Sequence, residues 1–213
     1  MSDVTQGWTA RLNRTDLEEA NAPDDPLALF ERWFAEAREA DLVDASAMTL
    51  ATADAEGLPS ARIVLLKGYG ADGFRFYTNY ESRKGRELES NPFAALAFWW
   101  DRLERQVRVR GPVRRLPATV SDEYFGTRPR GSQIGAHASP QSRPIEGRAR
   151  LEDTVAELTE RFGDGPVPRP AHWGGYAVVP EEIEFWQGRE NRLHDRLRYT
   201  RADGGWRRER LAP

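Results

Sequence analysis

The stretch EFWQGRENRLHDRLRY, residues 184–199, gathers four arginines, a tryptophan and one of the chain's three histidines. Such a set suits either a solvated, salt-bridged strand or a clamp for an anionic ligand. Written as a strand, RLHDRLR puts Arg192, His194, Arg196 and Arg198 on one face and Leu193, Asp195 and Leu197 on the other. The apolar partners mark the buried face, so the cationic face is a defined surface and not a random run of charge.

Three more groups could handle an anion. In RIVLLK, residues 62–67, two cations bracket an apolar run. In a regular strand Arg62 and Lys67 point to opposite faces, so they serve one site only if a strand end or bulge redirects one of them. Otherwise they snorkel at the ends of a core strand. In YTNYESRKGRE, residues 77–87, a helix starting near Ser82 places Arg83 and Lys84 in its first turn. Cations there oppose the helix dipole at a cost of about 0.3–1 kcal/mol each, which a bound phosphate offsets. The bland alternative is surface charge compensated by Glu81 and Glu87. Tyr124 and Arg128 share one helical face and are followed by Ser132. A phenol, a guanidinium and a hydroxyl could wrap a phosphate, or the first two could simply stack at the surface.

Other chemistries lack their residues. No cysteine is present, which excludes disulfides, thiolate catalysis and cysteine-ligated metals. The three histidines are scattered, without a metal-ligand spacing, and His137 and His172 read as structural or exposed. There is no Walker, H-E-x-x-H or G-x-S-x-G pattern. A net charge of −3 disfavours non-specific nucleic-acid binding, so any basic patch is local. No apolar run is long enough to cross a membrane and no secretory signal opens the chain, so a cytoplasmic location is expected.

The elements that must position these groups are short. Residues 1–22 are polar and weakly patterned and read as a flexible N-terminal arm; residues 23–213 read as a single domain. DDPLALFERWFAEAREAD predicts a helix with Asp25 as N-cap and Pro26 in its first turn. AMTLATA, SARIVLLK, GFRFYTN, FAALAFWW and LERQVRVRG read as strands, the last alternating Gln106, Arg108 and Arg110 against Val107 and Val109. ATVSDEYFGTRP and LEDTVAELTERF read as helices, and GGYAVVP, EIEFWQG, RLHDRLRY and GWRRERLAP return to strands. Hairpin-linked strands with inserted helices predict a mainly β, α+β fold: an antiparallel barrel with flanking helices, not a doubly wound sheet.

In order, ARIVLLK, FYTNYESRKG, NPFAALAFWW, LERQVRVRG, YFGTRPRGSQIGAHAS, QSRPI, WGGY, EFWQG and RLHDR resemble the landmarks of the pyridoxamine 5′-phosphate oxidase family. The similarity covers nearly the whole chain beyond the first twenty or so residues. The resemblance implies a homodimer of FMN-binding split β-barrels, with FMN in clefts between subunits. It implies oxidation of pyridoxamine or pyridoxine 5′-phosphate by O2 to pyridoxal 5′-phosphate, with H2O2 released and ammonia formed from the amine. The flavin takes a hydride equivalent from the substrate, and the protein supplies orientation and electrostatics.

By matching motifs, the resemblance assigns Arg62, Ile63, Val64, Leu65, Leu66, Lys67, Tyr77 and Thr78 to the FMN lining. It assigns Arg83 and Lys84 to its phosphate, Gln106 to the flavin ring, and Gln141, Ser142, Trp186 and Arg196 to the rest of the site, partly from the other subunit. Lys67, Tyr124, Arg128 and Ser132 would hold the substrate phosphate. Arg192, Leu193 and His194 would meet the substrate, with Arg192 and His194 as the catalytic pair over its pyridine ring. The chain departs from the family pattern in WTARLNRTDL, in His137 of GAHAS and in Arg189 of GRENRLHD. Competing expectations are a related FMN oxidase of the phenazine-pathway type and a non-catalytic split barrel that carries flavin, haem or pyridoxal phosphate.

Overall fold

Alternation along the apolar runs decides the architecture. In β1 (Ala47–Ala53) and β4 (Phe93–Trp100) every second residue is buried, and Met48, Leu50, Leu96 and Phe98 point to one interior. The computed structural model describes residues 17–213, so most of the arm expected over residues 1–22 lies outside the described residues. The remaining strands are β2 (Pro59–Leu65), β3 (Phe74–Asn79), β5 (Arg105–Arg115), β6 (Trp173–Val178), β7 (Glu182–Gln187), β8 (Asp195–Ala202) and β9 (Gly205–Arg210). The helices are α1 (Pro26–Glu39), α2 (Arg83–Ser90), α3 (Ala118–Thr127), α4 (Arg130–Ala138) and α5 (Arg148–Phe162).

Every strand pairing is antiparallel, and β5 carries the branch point. Its first half pairs with β7, its last residues pair with β6, and β4 runs along its other edge. The ring β1-β2-β3-β6-β5-β4 closes where Lys67 N–H donates to the Arg75 carbonyl (2.8 Å) and Gly68 bridges Arg75. Strands β7, β8 and β9 leave the ring as a wing. Gly111 sits at the fork, where an added Cβ would fall 1.9 Å from the Val179 carbonyl oxygen, so only glycine lets the two branches approach. The fold is the expected antiparallel split β-barrel with flanking helices.

Helix α1 plugs the barrel. Asp25 caps it by accepting from Leu27 N–H at 2.9 Å, and Pro26 occupies its first turn. Phe30, fully buried, meets Phe74 at 4.9 Å and Phe98 at 5.3 Å between ring centres. Burying such a ring contributes roughly 1.5–3 kcal/mol. A second cluster, Phe125, Ile134, Val167 and Trp173, joins α3 and α4 to β6, and α5 covers it with Val155, Leu158 and Phe162.

Two local expectations change. The strand expected over RLHDRLRY begins only at Asp195, because Asn191 (φ 54°) and Arg192 (φ 62°) are left-handed and form a tight turn. Arg196 and Arg198 therefore share a strand face, while Arg192 and His194 sit on the turn before it. The segment RGSQIGAHA, given no helix from sequence, forms α4. Ile63 and Trp99 stand 65% and 46% exposed on the outer face of the ring, a face on which Leu65 and Phe93 are also exposed. Among the described residues no helix is long and apolar enough to cross a membrane.

Candidate active site

The turn from β3 into α2 builds the first wall. Ser82 caps α2, its Oγ accepting from Gly85 N–H at 3.3 Å, which places Lys84 in the first turn. Lys84 Nζ donates to Gln141 Oε1 at 2.9 Å, Thr78 Oγ1 at 3.2 Å and Ser82 Oγ at 3.4 Å. These are neutral oxygens. Burial, reinforced by the Arg62 charge and opposed by Glu87, lowers its pKa to about 8. A buried ammonium at a helix N-terminus with no ion pair among the described residues fits an anion that supplies the missing charge.

Beside it lies Glu87, a buried carboxylate that accepts from Thr52 at 2.5 Å, Ser60 at 2.7 Å, Arg83 Nε at 2.7 Å and Arg62 Nη2 at 3.2 Å. Burial pushes its pKa up, but the bonds from Thr52, Ser60, Arg83 and Arg62 outweigh that and hold it at about 2. Arg83 spends its Nε on Glu87 and keeps its outer nitrogens for other partners. Arg62 turns inward to the Leu50 carbonyl (3.1 Å), so Arg62 and Lys67 do not share a wall.

Lys67 lies past the end of β2, in a cleft of about 500 Å³. Ile63, Val64 and Leu65 line it from β2, Tyr77 and Thr78 from β3, and Lys84 and Gln141 from the first wall. Tyr124, Arg128, Ser132 and Trp173 complete its lining. Tyr77 and Tyr124 stack at 3.9 Å between ring centres. Arg128 Nη1 is buried without a hydrogen-bond partner, and burial lowers the guanidinium's pKa while Tyr124 partly offsets this. An orphaned buried N–H beside a phenol and a hydroxyl calls for an acceptor, and a phosphate supplies several. Leu66 faces the barrel core, and Ser142, next to Gln141, has a left-handed backbone (φ 70°).

A second group lies elsewhere on the chain. Gln106, Trp186 and Arg196 pair in one row across β5, β7 and β8. Arg196 is held on two sides, Nε by Glu184 Oε1 at 2.9 Å and Nη1 by the Ala212 carbonyl at 2.8 Å. Glu184 is buried and also binds Arg108. His194 leans on Trp186, with ring centres 4.6 Å apart, and its Nδ1 accepts from the Arg189 amide at 3.0 Å. Because that amide can only donate, a neutral His194 carries its proton on Nε2. Arg192 and Leu193 stand exposed on the same turn.

The two groups do not meet within one chain. The row begins with Gln106 on β5, and β7 lies four strands from β2, about 19 Å along the sheet at the usual strand spacing. Glu87, Glu184 and Trp173 were not singled out as site residues from sequence. The carboxylates look like ordinary surface charge until the fold buries them, and Trp173 had only its place in the WGGY landmark. His137 and His172 donate from Nε2 to the carbonyls of Pro168 (2.7 Å) and Ala136 (3.1 Å), and both border a separate cleft of about 780 Å³ behind Gln141.

Comparison with known proteins gives one answer. Residues 34–162 match the family model for pyridoxamine 5′-phosphate oxidase, and residues 173–213 match that for the pyridoxine 5′-phosphate oxidase C-terminal dimerisation region. The pyridoxine/pyridoxamine 5′-phosphate oxidase of Salinibacter ruber is 59% identical, with 100% of this chain and 99% of that protein covered. The one from Rubrobacter xylanophilus is 58% identical, covering 97% and 95%. Among solved structures, PhzG from Burkholderia lata in complex with tetrahydrophenazine-1-carboxylic acid superposes with a TM-score of 0.89 at 32% identity, covering 95% and 99%. An FMN-binding protein from Nostoc punctiforme, at 18% identity and a TM-score of 0.69, shares the fold. The chain belongs to the pyridoxamine 5′-phosphate oxidase family.

Proposed function

We propose that this protein is an FMN-dependent oxidase that converts pyridoxamine or pyridoxine 5′-phosphate to pyridoxal 5′-phosphate, with O2 as acceptor. H2O2 is released, and ammonia leaves when the substrate is the amine. The observation that carries the reading is one cleft lined by three cations, among them Lys84 of α2 and Arg128 beyond α3. Neither makes an ion pair among the described residues, and each fits a phosphate. The names of relatives at 58–59% identity support the same substrates.

In this reading Lys84 and the outer nitrogens of Arg83 take the cofactor phosphate, with Arg62 and Glu87 setting Arg83 in place. Ile63, Val64, Leu65, Tyr77 and Thr78 line the flavin, with Gln141 and Ser142 at its edge. Lys67, Tyr124, Arg128 and Ser132 take the substrate phosphate. The protein acts as a homodimer. The outer face of β2 and β4, with its exposed apolar side chains, packs on a second copy, whose Gln106, Trp186 and Arg196 complete the flavin site. That copy's Arg192, Leu193 and His194 close over the substrate, Arg192 by charge and His194 through its Nε2–H. Bound FMN would supply the hydride acceptor and the route to oxygen; the chain's residues hold, orient and exclude water.

The test is direct. Purified protein reconstituted with FMN and given pyridoxine or pyridoxamine 5′-phosphate in air should form pyridoxal 5′-phosphate and H2O2. Failure to retain FMN, or retention without either product, overturns the reading. Turnover of a tetrahydrophenazine carboxylic acid in place of the vitamer phosphates would favour the PhzG-like alternative.

A further inference from the structure

Arg128 is an unusual anion ligand because nothing polar holds it. It follows the last residue of α3 with an extended backbone (φ −73°, ψ 145°), so the helix does not direct its side chain. Among the described residues its guanidinium makes no hydrogen bond and no ion pair. What it does touch is aromatic. Its guanidinium carbon lies 4.6 Å from the ring centre of Trp173 and 5.6 Å from that of Phe125.

Trp173 is itself rigidly placed. Its backbone N–H donates to the Pro170 carbonyl at 3.0 Å, and its backbone carbonyl accepts from Arg169 Nη1 at 2.6 Å. Arg169 also binds Asp122 of α3 at 2.6 Å, so the backbone of Trp173 is tied to the helix that carries Tyr124 and leads into Arg128. The indole lies within 5° of parallel to Tyr124 and 12° of parallel to Tyr77. One buried ring therefore lies against the guanidinium and stacks with the phenol of Tyr124.

We propose that Trp173 is a positioning residue for the substrate phosphate: its indole face holds the Arg128 guanidinium while leaving every N–H donor free for the ligand. The inference rests on the proposed function and deepens it. A carboxylate in the same place would orient Arg128 equally well, but it would consume donors and repel a phosphate. A ring face does neither.

A double-mutant cycle tests this on FMN-loaded protein, using Trp173→Leu, Trp173→Phe, Arg128→Ala and the combinations. The readouts are the Kd for pyridoxal 5′-phosphate, the KM for pyridoxine 5′-phosphate and the Kd for FMN. Trp173→Leu should weaken pyridoxal 5′-phosphate binding about 5- to 30-fold, the range of a desolvated cation–π contact. It should raise KM more than it lowers kcat, and Trp173→Phe should recover part of the loss. In the Arg128→Ala background the same change should cost less than about twofold, because the partner is gone.

Equal losses in both backgrounds, or a parallel fall in FMN affinity, would reduce Trp173 to a packing residue and overturn the proposal. So would an unchanged Kd in folded Trp173→Leu protein. If Trp173→Leu does not fold, Trp173→Phe carries the cycle. If the wild-type protein neither binds nor makes pyridoxal 5′-phosphate, the functional reading fails on its own account. The same cycle read with inorganic phosphate then decides whether the indole serves Arg128.

Discussion

Lys84 and Gln141 lie 57 positions apart, and their side chains meet at 2.9 Å, Nζ to Oε1. The contact closes the wall between α2 and the loop after α4 around a cation that burial makes easy to deprotonate. With its pKa lowered to about 8, Lys84 loses its charge near the top of the physiological range.

FMN affinity should therefore fall as pH rises through about 8, because the phosphate needs the ammonium form. Flavin fluorescence titrations between pH 6.5 and 9.5 should show the decline, and Lys84→Met should bind weakly and without it. The stability sign is opposite. Between about 8 and 10.5 the unfolded chain holds a proton that the fold has released, so FMN-free protein gains stability as pH rises through that window. Lys84→Met should accordingly raise the melting temperature of FMN-free protein at pH 7. A melting temperature unchanged by the substitution would show that the buried charge is not strained.

Glu87 works the other way. Held at about 2 against an ordinary 4.5, it contributes stability that is fully present above pH 4.5 and is lost as pH falls toward 2. Glu87→Ala should cost about 3 kcal/mol, since it strands Arg62 and Arg83 side by side without their carboxylate. Urea melts from pH 3 to 7 should show the wild-type acid limb flattened in the variant. A loss below about 1 kcal/mol would mean that water or another acceptor replaces the carboxylate.

How much of this was legible from sequence depends on how local the cause is. The Ser82 cap and the cations behind it are set within a few residues, so the placement of Arg83 and Lys84 could be read directly. The alternation of β5 and the Asp25–Pro26 start of α1 are equally local. Glu87 was not legible as a hub, because Thr52 and Ser60 reach it from a different hairpin. The turn at Arg192 is hidden in the sequence, because the strand-like alternation continues through residues whose backbone has reversed hand at Asn191 and Arg192. The separation of Gln106, Trp186 and Arg196 from the phosphate cleft follows from the fork in β5, which no short pattern encodes.

Gly175 offers a structural probe of the cleft. A Cβ there would lie 2.5 Å from Leu116 Cδ1 and 2.8 Å from Tyr77 Cε1. Gly175→Ala should cost about 1–3 kcal/mol, as overpacking does, and push the Tyr77 ring toward the ligand space. Thermal melts should register the first effect and a weakened FMN Kd the second. Wild-type FMN affinity in the variant would show that Tyr77 is not part of the flavin lining.

The last prediction separates the two halves of the clamp. Arg196 is fixed before any ligand arrives, by Glu184 on one side and the Ala212 carbonyl on the other, within a regular strand. Arg192 stands exposed on a left-handed turn, and His194 on the same turn accepts from the Arg189 amide and leans on Trp186. A preformed guanidinium suits a resident cofactor, whereas groups on a turn suit a substrate that comes and goes. Arg196→Ala should therefore weaken FMN binding at least about tenfold, the scale of losing one charge-assisted hydrogen bond. Arg192→Ala and His194→Ala should instead raise KM for pyridoxine 5′-phosphate by a similar factor and leave FMN affinity within about threefold. Paired FMN titrations and steady-state kinetics on the three variants make the comparison. If all three lose FMN alike, the strand and the turn act as one site and the division between cofactor and substrate groups is wrong.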